Sequence, residues 1–331
     1  MKKLLIALIV LVLLLVLVWQ VLRHLMSPVD VVNSADIFIT IPPNSSTGQI
    51  AEILEESSVI RNATVFAWYA RLQKLDSSMK PGVYLLNNGM SLSQVAKALS
   101  EGKTEKIIVT IPEGYTIAQI TDLLVQRSDV QREDFTDALD NPWQFAFLAE
   151  APVSQWGLEG YLFPDTYYFD ASVSAHDAVE IMLSNFQGVI NEHDYLAQVE
   201  AQGLTLHQAL TIASMIEREA MVAEERPKIA GVIFNRLEIG MQLQIDATVQ
   251  YALGENKEIL LYRDLEIDSP YNTYRINGLP PGPIANPGWS SMEAVVHPET
   301  HDYLYYVAKP DGSHAFSKTY AEHNANIRKY Q

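Results

Sequence analysis

Cysteine is absent from the 331 residues, which excludes disulfides, thiol nucleophiles and thiolate metal sites without choosing a compartment. Positive charge is scarce: 23 Lys and Arg stand against 40 Asp and Glu, for a formal net charge of -17. A chain with no basic stripe to neutralise phosphates is not a nucleic-acid binder. The sequence also lacks a Gly-x-Ser-x-Gly elbow, a phosphate-binding P-loop, a Gly-x-Gly-x-x-Gly turn and a His-Glu-x-x-His helix, so hydride and phosphoryl transfer have no support. His297 and His301 are four apart, but Pro298 breaks any helix that would align them. No metal and no cofactor are expected.

What is present begins with a long apolar run. Residues 4–19 are apolar throughout, and Val21 and Leu22 follow Gln20, a stretch just long enough to span hydrocarbon, with Trp19 at the interface. A cleaved signal peptide is the competing reading. The run is long for one, and no small-x-small site follows before Pro28. An uncleaved single-pass anchor over residues 1–25 is therefore expected, in the inner (cytoplasmic) membrane, contacting lipid through residues 4–22. Lys2 and Lys3 keep the short N-terminal tail cytoplasmic, which places everything after Arg23 in the periplasm or outside. The exported part is strongly acidic, with 20 basic against 40 acidic residues beyond position 24.

Residues 26–36 read as a short linker whose reach is on the order of 40 Å at full extension. A strand, Ile37-Phe38-Ile39-Thr40-Ile41, then ends at Pro42-Pro43. Helical spacing follows over residues 47–56, with Thr47 placed to cap, and over residues 62–72. Tyr84-Leu85-Leu86 returns as a strand. The phrase Gln49-Ile50-Ala51-Glu52-Ile53-Leu54 is echoed by Gln94-Val95-Ala96-Lys97-Ala98-Leu99 and again by Gln119-Ile120-Thr121-Asp122-Leu123-Leu124. The last echo follows Val109-Thr110-Ile111-Pro112, which matches Ile39-Thr40-Ile41-Pro42 at an offset of 70 residues. This strand-turn-helix unit is reused too few times for a solenoid. Units of this size over residues 37–104 resemble LysM domains; plain packing without a ligand and a glycan-binding module are both open.

Beyond residue 128 the pattern is helical to about residue 238, apart from an aromatic loop over residues 156–168. The helix over residues 206–220, with Thr205 as N-cap, carries the sharpest chemical signal. At 100° per residue, and with Leu206 at zero, Glu217 falls at about 20°, in the middle of the apolar stripe. Glu219 falls at about 220° and Arg218 at about 120°, both read as surface positions. A carboxyl aimed inward either finds a charged partner, such as Arg236 on the next helix, or keeps its proton near neutrality as a general acid must. Ser214 lies one turn before it. Asn235 lies on the following helix.

Gln242, Gln244, Asp246, Thr248, Gln250 and Tyr251, then Tyr271-Asn272-Thr273-Tyr274 and Asn277, form a polar and aromatic cluster of the kind that binds sugars. Glu159 and Asp165 are further acids within the aromatic loop. The proline-glycine run over residues 278–288 is a stiff loop that either walls a cleft or crosses the core. Residues 303–308 read as a buried strand.

Taken in order, Leu158-Glu159-Gly160-Tyr161-Leu162-Phe163-Pro164-Asp165-Thr166-Tyr167, Ala213-Ser214-Met215-Ile216-Glu217-Arg218-Glu219, Phe234-Asn235-Arg236-Leu237, Gly240-Met241-Gln242-Leu243-Gln244-Ile245-Asp246, Tyr271-Asn272-Thr273-Tyr274 and Gly278-Leu279-Pro280-Pro281-Gly282-Pro283-Ile284 resemble the endolytic murein transglycosylases of the YceG-like family. The resemblance covers nearly the whole chain. It implies an α+β protein: anchor, LysM-like module, and a mixed α/β catalytic domain over residues 105–331. It further implies a lyase that cuts nascent peptidoglycan strands between N-acetylmuramic acid and N-acetylglucosamine, leaves 1,6-anhydro ends, limits strand length and works beside peptidoglycan synthases. It assigns the catalytic acid to the first Glu of the Ser-x-x-Glu-x-Glu phrase, here Glu217. Ser214, Asn235, Gln244, Asp246, Thr248, Tyr251, Tyr271, Asn272, Tyr274, Glu159 and Asp165 are the candidate substrate-binding residues. Two alternatives stay open: a muramidase using Asp246, Asp165 or Glu159 as second carboxylate, and a non-catalytic scaffold that binds glycan and recruits synthases.

Overall fold

The computed structural model describes residues 2–42, 44–76, 78–102, 104–149, 157–255, 257 and 260–330; Trp156, at the edge of the aromatic loop, lies outside them. The chain is a mixed α+β protein, and among the described residues the short strands pair in three two-stranded sheets. It divides into two compact units, one of residues 1–108 and 168–173, the other of residues 109–167 and 174–331.

The first unit opens with helix α1 (Lys2–Leu25), which at 1.5 Å per residue is about 36 Å long, enough to cross a bilayer. Strand β1 (Asp36–Ile41), helices α2 (Thr47–Glu56) and α3 (Ala63–Leu72), strand β2 (Gly82–Asn87) and helix α4 (Leu92–Glu101) follow. β1 and β2 run antiparallel with Phe38 opposite Leu85 and Ile39 opposite Tyr84. Alternation puts Ile39, Ile41, Tyr84 and Leu86 inward onto Leu54, Phe66 and Leu99, while Phe38 and Leu85 stay outside.

Residues 26–36 are not a free tether. Val29 and Asp30 donate from their backbones to Asn88, Leu92 donates to Met26, and the Arg61 guanidinium bonds the carbonyls of Pro28 and Val29. A half-buried arginine bonded to two carbonyls is what clamps the segment.

The recurrent glutamine phrase has a local physical cause. In each copy the Gln is the third helical residue, and its side-chain carbonyl accepts the backbone N–H of the capping residue: Ser46 to Gln49 at 2.8 Å, Ser91 to Gln94 at 2.8 Å, Thr116 to Gln119 at 2.9 Å. A fourth instance, Thr205 to Gln208 at 2.9 Å, starts the helix that carries the two glutamates. Each satisfies a donor the helix itself cannot. The cap of α2 is therefore Ser46, and Thr47 is already inside the helix.

Strands β3 (Lys106–Thr110) and β4 (Thr166–Asp170) pair, and the division between the units runs through both. The second unit holds α5 (Ile117–Arg127), α6 (Arg132–Leu139), α7 (Ala175–Glu192), α8 (Tyr195–Ala201), α9 (Leu206–Glu219), α10 (Arg226–Glu238), α11 (Asp246–Leu253), α12 (Trp289–Val296), an antiparallel hairpin of β5 (Tyr305–Ala308) and β6 (His314–Ser317), and α13 (Tyr320–Tyr330). α9 is the central rod. Every residue from Ala209 to Ile216 is buried, against α8, α10, α11 and α12.

The proline-glycine run crosses this core. Ile284, Ala285 and Asn286 are at most 2 % exposed. Ile284 donates its N–H to Ser214 Oγ at 3.0 Å, and Asn286 bonds Tyr115, Gly160, Leu162 and Glu159. Without helix or ladder to absorb its backbone polar groups, such a segment survives inside only because side chains satisfy it.

Candidate active site

The last turn of α9 sends two glutamates in different directions. Glu217 points inward, its side chain only 6 % exposed, and finds a partner there: one carboxylate oxygen lies 3.3 Å from Arg226 Nη2, and the other accepts the Gly288 N–H at 3.0 Å. Arg226 is held in turn by Ser291 Oγ at 3.0 Å. Glu113 shares this corner, and its carboxyl is pushed up by burial and then by the negative charge of Glu217. A Cβ at Gly288 would overlap the Glu113 carboxylate unless that side chain moved aside. Glu217 thus closes a buried ion pair in which the arginine is Arg226, where the sequence offered one such as Arg236.

Glu219, assigned to the surface by the helical wheel, lies instead in a cleft of about 570 Å³. The wheel placed it opposite the apolar stripe, but α9 is covered on that side too, by the β5–β6 hairpin. Tyr306 of β5 donates its hydroxyl to Glu219 Oε2 at 3.0 Å. Burial raises the Glu219 carboxyl above the ordinary range and the like charge of Asp246 adds to it, while the Tyr306 hydrogen bond and His314 act in the opposite direction.

Around Glu219 the cleft gathers Arg236, Gln244, Asp246, Tyr274, Tyr305 and His314, with Tyr262 at its mouth and Tyr320, His323 and Ile327 from α13. Asp246 opens α11 and accepts from the Tyr274 hydroxyl at 2.5 Å. His314 is fixed by Glu225, 2.7 Å from its Nδ1, and meets the Tyr306 ring edge-on at 5.3 Å. Arg236 donates to the carbonyls of Leu304 and Leu243, and its guanidinium lies 5.4 Å from the centre of the Tyr305 ring. One acid with a raised carboxyl, a second carboxylate, a cation and several aromatic rings suit a sugar polymer: ring faces for pyranoses, polar groups for hydroxyls, an acid for the glycosidic oxygen.

Of the residues expected in the site, only Gln244, Asp246 and Tyr274 line this cleft. Ser214 holds the proline-glycine run, and Asn235 ties α10 to the carbonyls of His301 and Tyr303. Thr248 is fully buried against Thr273, and Asn272 holds the carbonyls of Leu265 and Ile267. These four build the scaffold on which Gln244 and Asp246 sit. Asp165 bonds Asn185 at 2.9 Å and is absent from the cleft lining.

Glu159 is buried elsewhere in the unit, in the lining of a separate hollow of about 360 Å³ that Tyr251 shares. It accepts from the Ile117 N–H at 3.0 Å, Asn286 at 3.0 Å and the Tyr251 hydroxyl at 3.3 Å, and burial pushes its carboxyl up to about 8. The ring of Tyr271 lies 4.9 Å from that of Tyr251. Glu219 and the residues of the hairpin and α13 also line the cleft and were not among those expected there. Tyr305-Tyr306 inside a short strand was visible, but not that its partner face would be α9.

Residues 39–329 match the model of the YceG-like family. The chain belongs to that family. Among curated relatives it is 38 % identical over 321 residues to an endolytic murein transglycosylase of Bacillus subtilis (strain 168), covering 93 % of this chain and 88 % of the relative. An endolytic murein transglycosylase of Streptococcus pneumoniae serotype 2 is 30 % identical over 341 residues, 94 % of this chain and 61 % of that longer protein. A crystal structure of a yceG-like protein from Listeria monocytogenes is 40 % identical, covers 89 % of this chain and 100 % of its own, and superposes with a TM-score of 0.60. Membership carries the expected α+β architecture.

Proposed function

We propose that this YceG-like chain is an endolytic peptidoglycan transglycosylase in which Glu219 is the acid and base. One observation carries the assignment to Glu219: it is the glutamate of α9 that lines the cleft with a raised carboxyl, whereas Glu217 is taken up by Arg226 and Gly288. The relatives named endolytic murein transglycosylase support the substrate.

The Glu219 carboxyl donates its proton to the glycosidic oxygen that leaves N-acetylmuramic acid C1, and the C1–O bond breaks. The carboxylate so formed takes the proton of that sugar's own C6 hydroxyl while O6 bonds C1. A 1,6-anhydro ring closes and Glu219 ends protonated. Because the nucleophile belongs to the substrate, no second carboxylate at a set separation is required. The Tyr306 hydroxyl steadies the anionic form, and burial favours the protonated one.

A hydrolase is the second reading, favoured by Asp246 in the same cleft. Glu159 and Asp165, the other carboxylates considered for that role, do not line this cleft. We place α1 as a cytoplasmic-membrane anchor with both units outside, next to peptidoglycan synthases. The first unit is read as a LysM-like glycan binder, supported by a polar hollow beside Asn44, Ser45, Gln49, Glu52 and Glu56.

Mass spectrometry of products from uncrosslinked glycan strands tests the reading. Anhydro ends formed by the full chain and lost in Glu219→Gln are expected. Reducing ends would mean hydrolysis with Asp246 as partner, and cleavage by Glu219→Gln at the parent rate would remove Glu219 from the mechanism.

A further inference from the structure

The Glu219 cleft, at about 570 Å³, encloses only part of a polymer. A strand cut within its length carries sugars on both sides of the broken bond, so it leaves the cleft across the rim. Tyr262 stands at that rim. It contributes to the cleft lining while 90 % of its surface is exposed, and Leu261 beside it is exposed as well. A single exposed ring is ordinary on a protein surface and needs no explanation by itself.

What sets Tyr262 apart is how many side chains hold its loop still. Asp264 is buried, and its carboxylate accepts the Leu261 N–H at 2.9 Å and the Lys257 ammonium at 2.9 Å. Leu265 donates its N–H to the Tyr262 carbonyl at 3.2 Å. Asn272, fully buried, donates its amide to the carbonyls of Leu265 and Ile267 at 2.9 and 2.8 Å, and Arg275 donates to that of Glu266 at 2.7 Å. The same Asn272 accepts the backbone N–H of Tyr274 at 3.1 Å, and the Tyr274 hydroxyl bonds Asp246 in the cleft lining. One buried amide thus ties the rim loop to the cleft, so the backbone beneath the Tyr262 ring has a fixed place relative to that lining.

Tyrosine offers a broad flat face with only two side-chain torsions to freeze. On a loop already held, a ligand that settles on the ring costs little further ordering. The matching surface on a glycan strand is the apolar face of a pyranose.

We propose that Tyr262 is a sugar-stacking residue at the rim, where its ring carries a pyranose of the strand as it leaves the Glu219 cleft. The inference rests on the reading of that cleft as the glycan site.

The test measures kcat and KM of the full chain in detergent on long uncrosslinked strands and on the shortest oligosaccharide that the parent cleaves, with thermal unfolding alongside. Tyr262→Ala is expected to raise KM on long strands about fivefold, with kcat and unfolding temperature unchanged, and to leave KM on the shortest substrate at the parent value. Tyr262→Phe and Tyr262→Trp should keep the parent KM on both, since stacking needs the ring and not the hydroxyl.

A parent KM for Tyr262→Ala on long strands, or an equal rise on both substrates, would overturn the proposal, and so would a Tyr262→Phe variant that behaves like Tyr262→Ala. Glu219→Gln, assayed alongside, separates the two levels. Its retention of full cleavage would defeat the reading of the cleft itself, and this inference with it; its inactivity beside a parent KM in Tyr262→Ala would defeat this inference alone.

Discussion

Two carboxylates two residues apart on α9 meet opposite fates. Glu217 enters a corner where a guanidinium and a backbone N–H neutralise it. Glu219 enters a cleft where it meets a tyrosine hydroxyl and another carboxylate. The helix treats the two alike, so the neighbours decide which is structural and which can carry a mobile proton. Desolvation beside a like charge raises the proton affinity of Glu219.

The largest expected effect breaks the comparison outright. Glu219→Gln should lower kcat by about a hundredfold to ten-thousandfold with unfolding temperature unchanged, the range in which a positioned acid contributes. Glu217→Gln should do the converse. Removing one partner of a buried pair leaves Arg226 uncompensated and costs about 3 kcal/mol of stability, read from denaturant midpoints. Activity per folded molecule should stay near the parent value. Activity lost in Glu217→Gln at full stability would reverse the roles drawn here.

Glu159 sharpens the contrast by pH. Its carboxyl in the folded chain sits at about 8, above an ordinary value of 4.5. The folded state therefore keeps a proton that the unfolded chain has released. This contribution is complete below pH 4.5 and is lost as pH rises to about 8, with a slope of up to about 1.4 kcal/mol per pH unit. Denaturant midpoints across that window should show the decline, and Glu159→Gln should flatten it. A parent chain whose stability is level across the window would remove Glu159 from this account.

The smallest effect concerns Tyr306. Its hydroxyl pulls the Glu219 carboxyl down, so Tyr306→Phe should raise it and carry the alkaline limb of the kcat profile to higher pH. An acid catalyst is competent below its own pKa and fails above it. A limb moving towards acid would show that Tyr306 does not act on Glu219.

Much of the architecture was legible along the chain, because local rules wrote it. The membrane-length helix follows from a long apolar run. The Gln phrase follows from the chemistry of helix starts. β1 and β2 follow from alternation, with Ile39 and Tyr84 inside and Phe38 outside. The cleft was legible in part: Gln244, Asp246 and Tyr274 belong to it, as the polar cluster suggested. Ser214, Thr248 and Asn272 carry the same polar chemistry but spend it on backbone groups of their own scaffold, which spacing alone does not distinguish from sugar binding.

The amino-acid sequence by itself determined that this is an acidic, cysteine-free, mixed α+β chain with one membrane-length helix and a glutamate pair near the end of a central helix. Tertiary structure alone decided which glutamate faces the cleft. A helical wheel assumes one buried face, and α9 has more than one: Arg226 and Gly288 close over one side, and the β5–β6 hairpin, some ninety residues away in sequence, closes over the other. Burial, counter-charge and hydrogen bonding act through space, so the chemistry of these two identical side chains was set by elements that periodicity within α9 cannot contain.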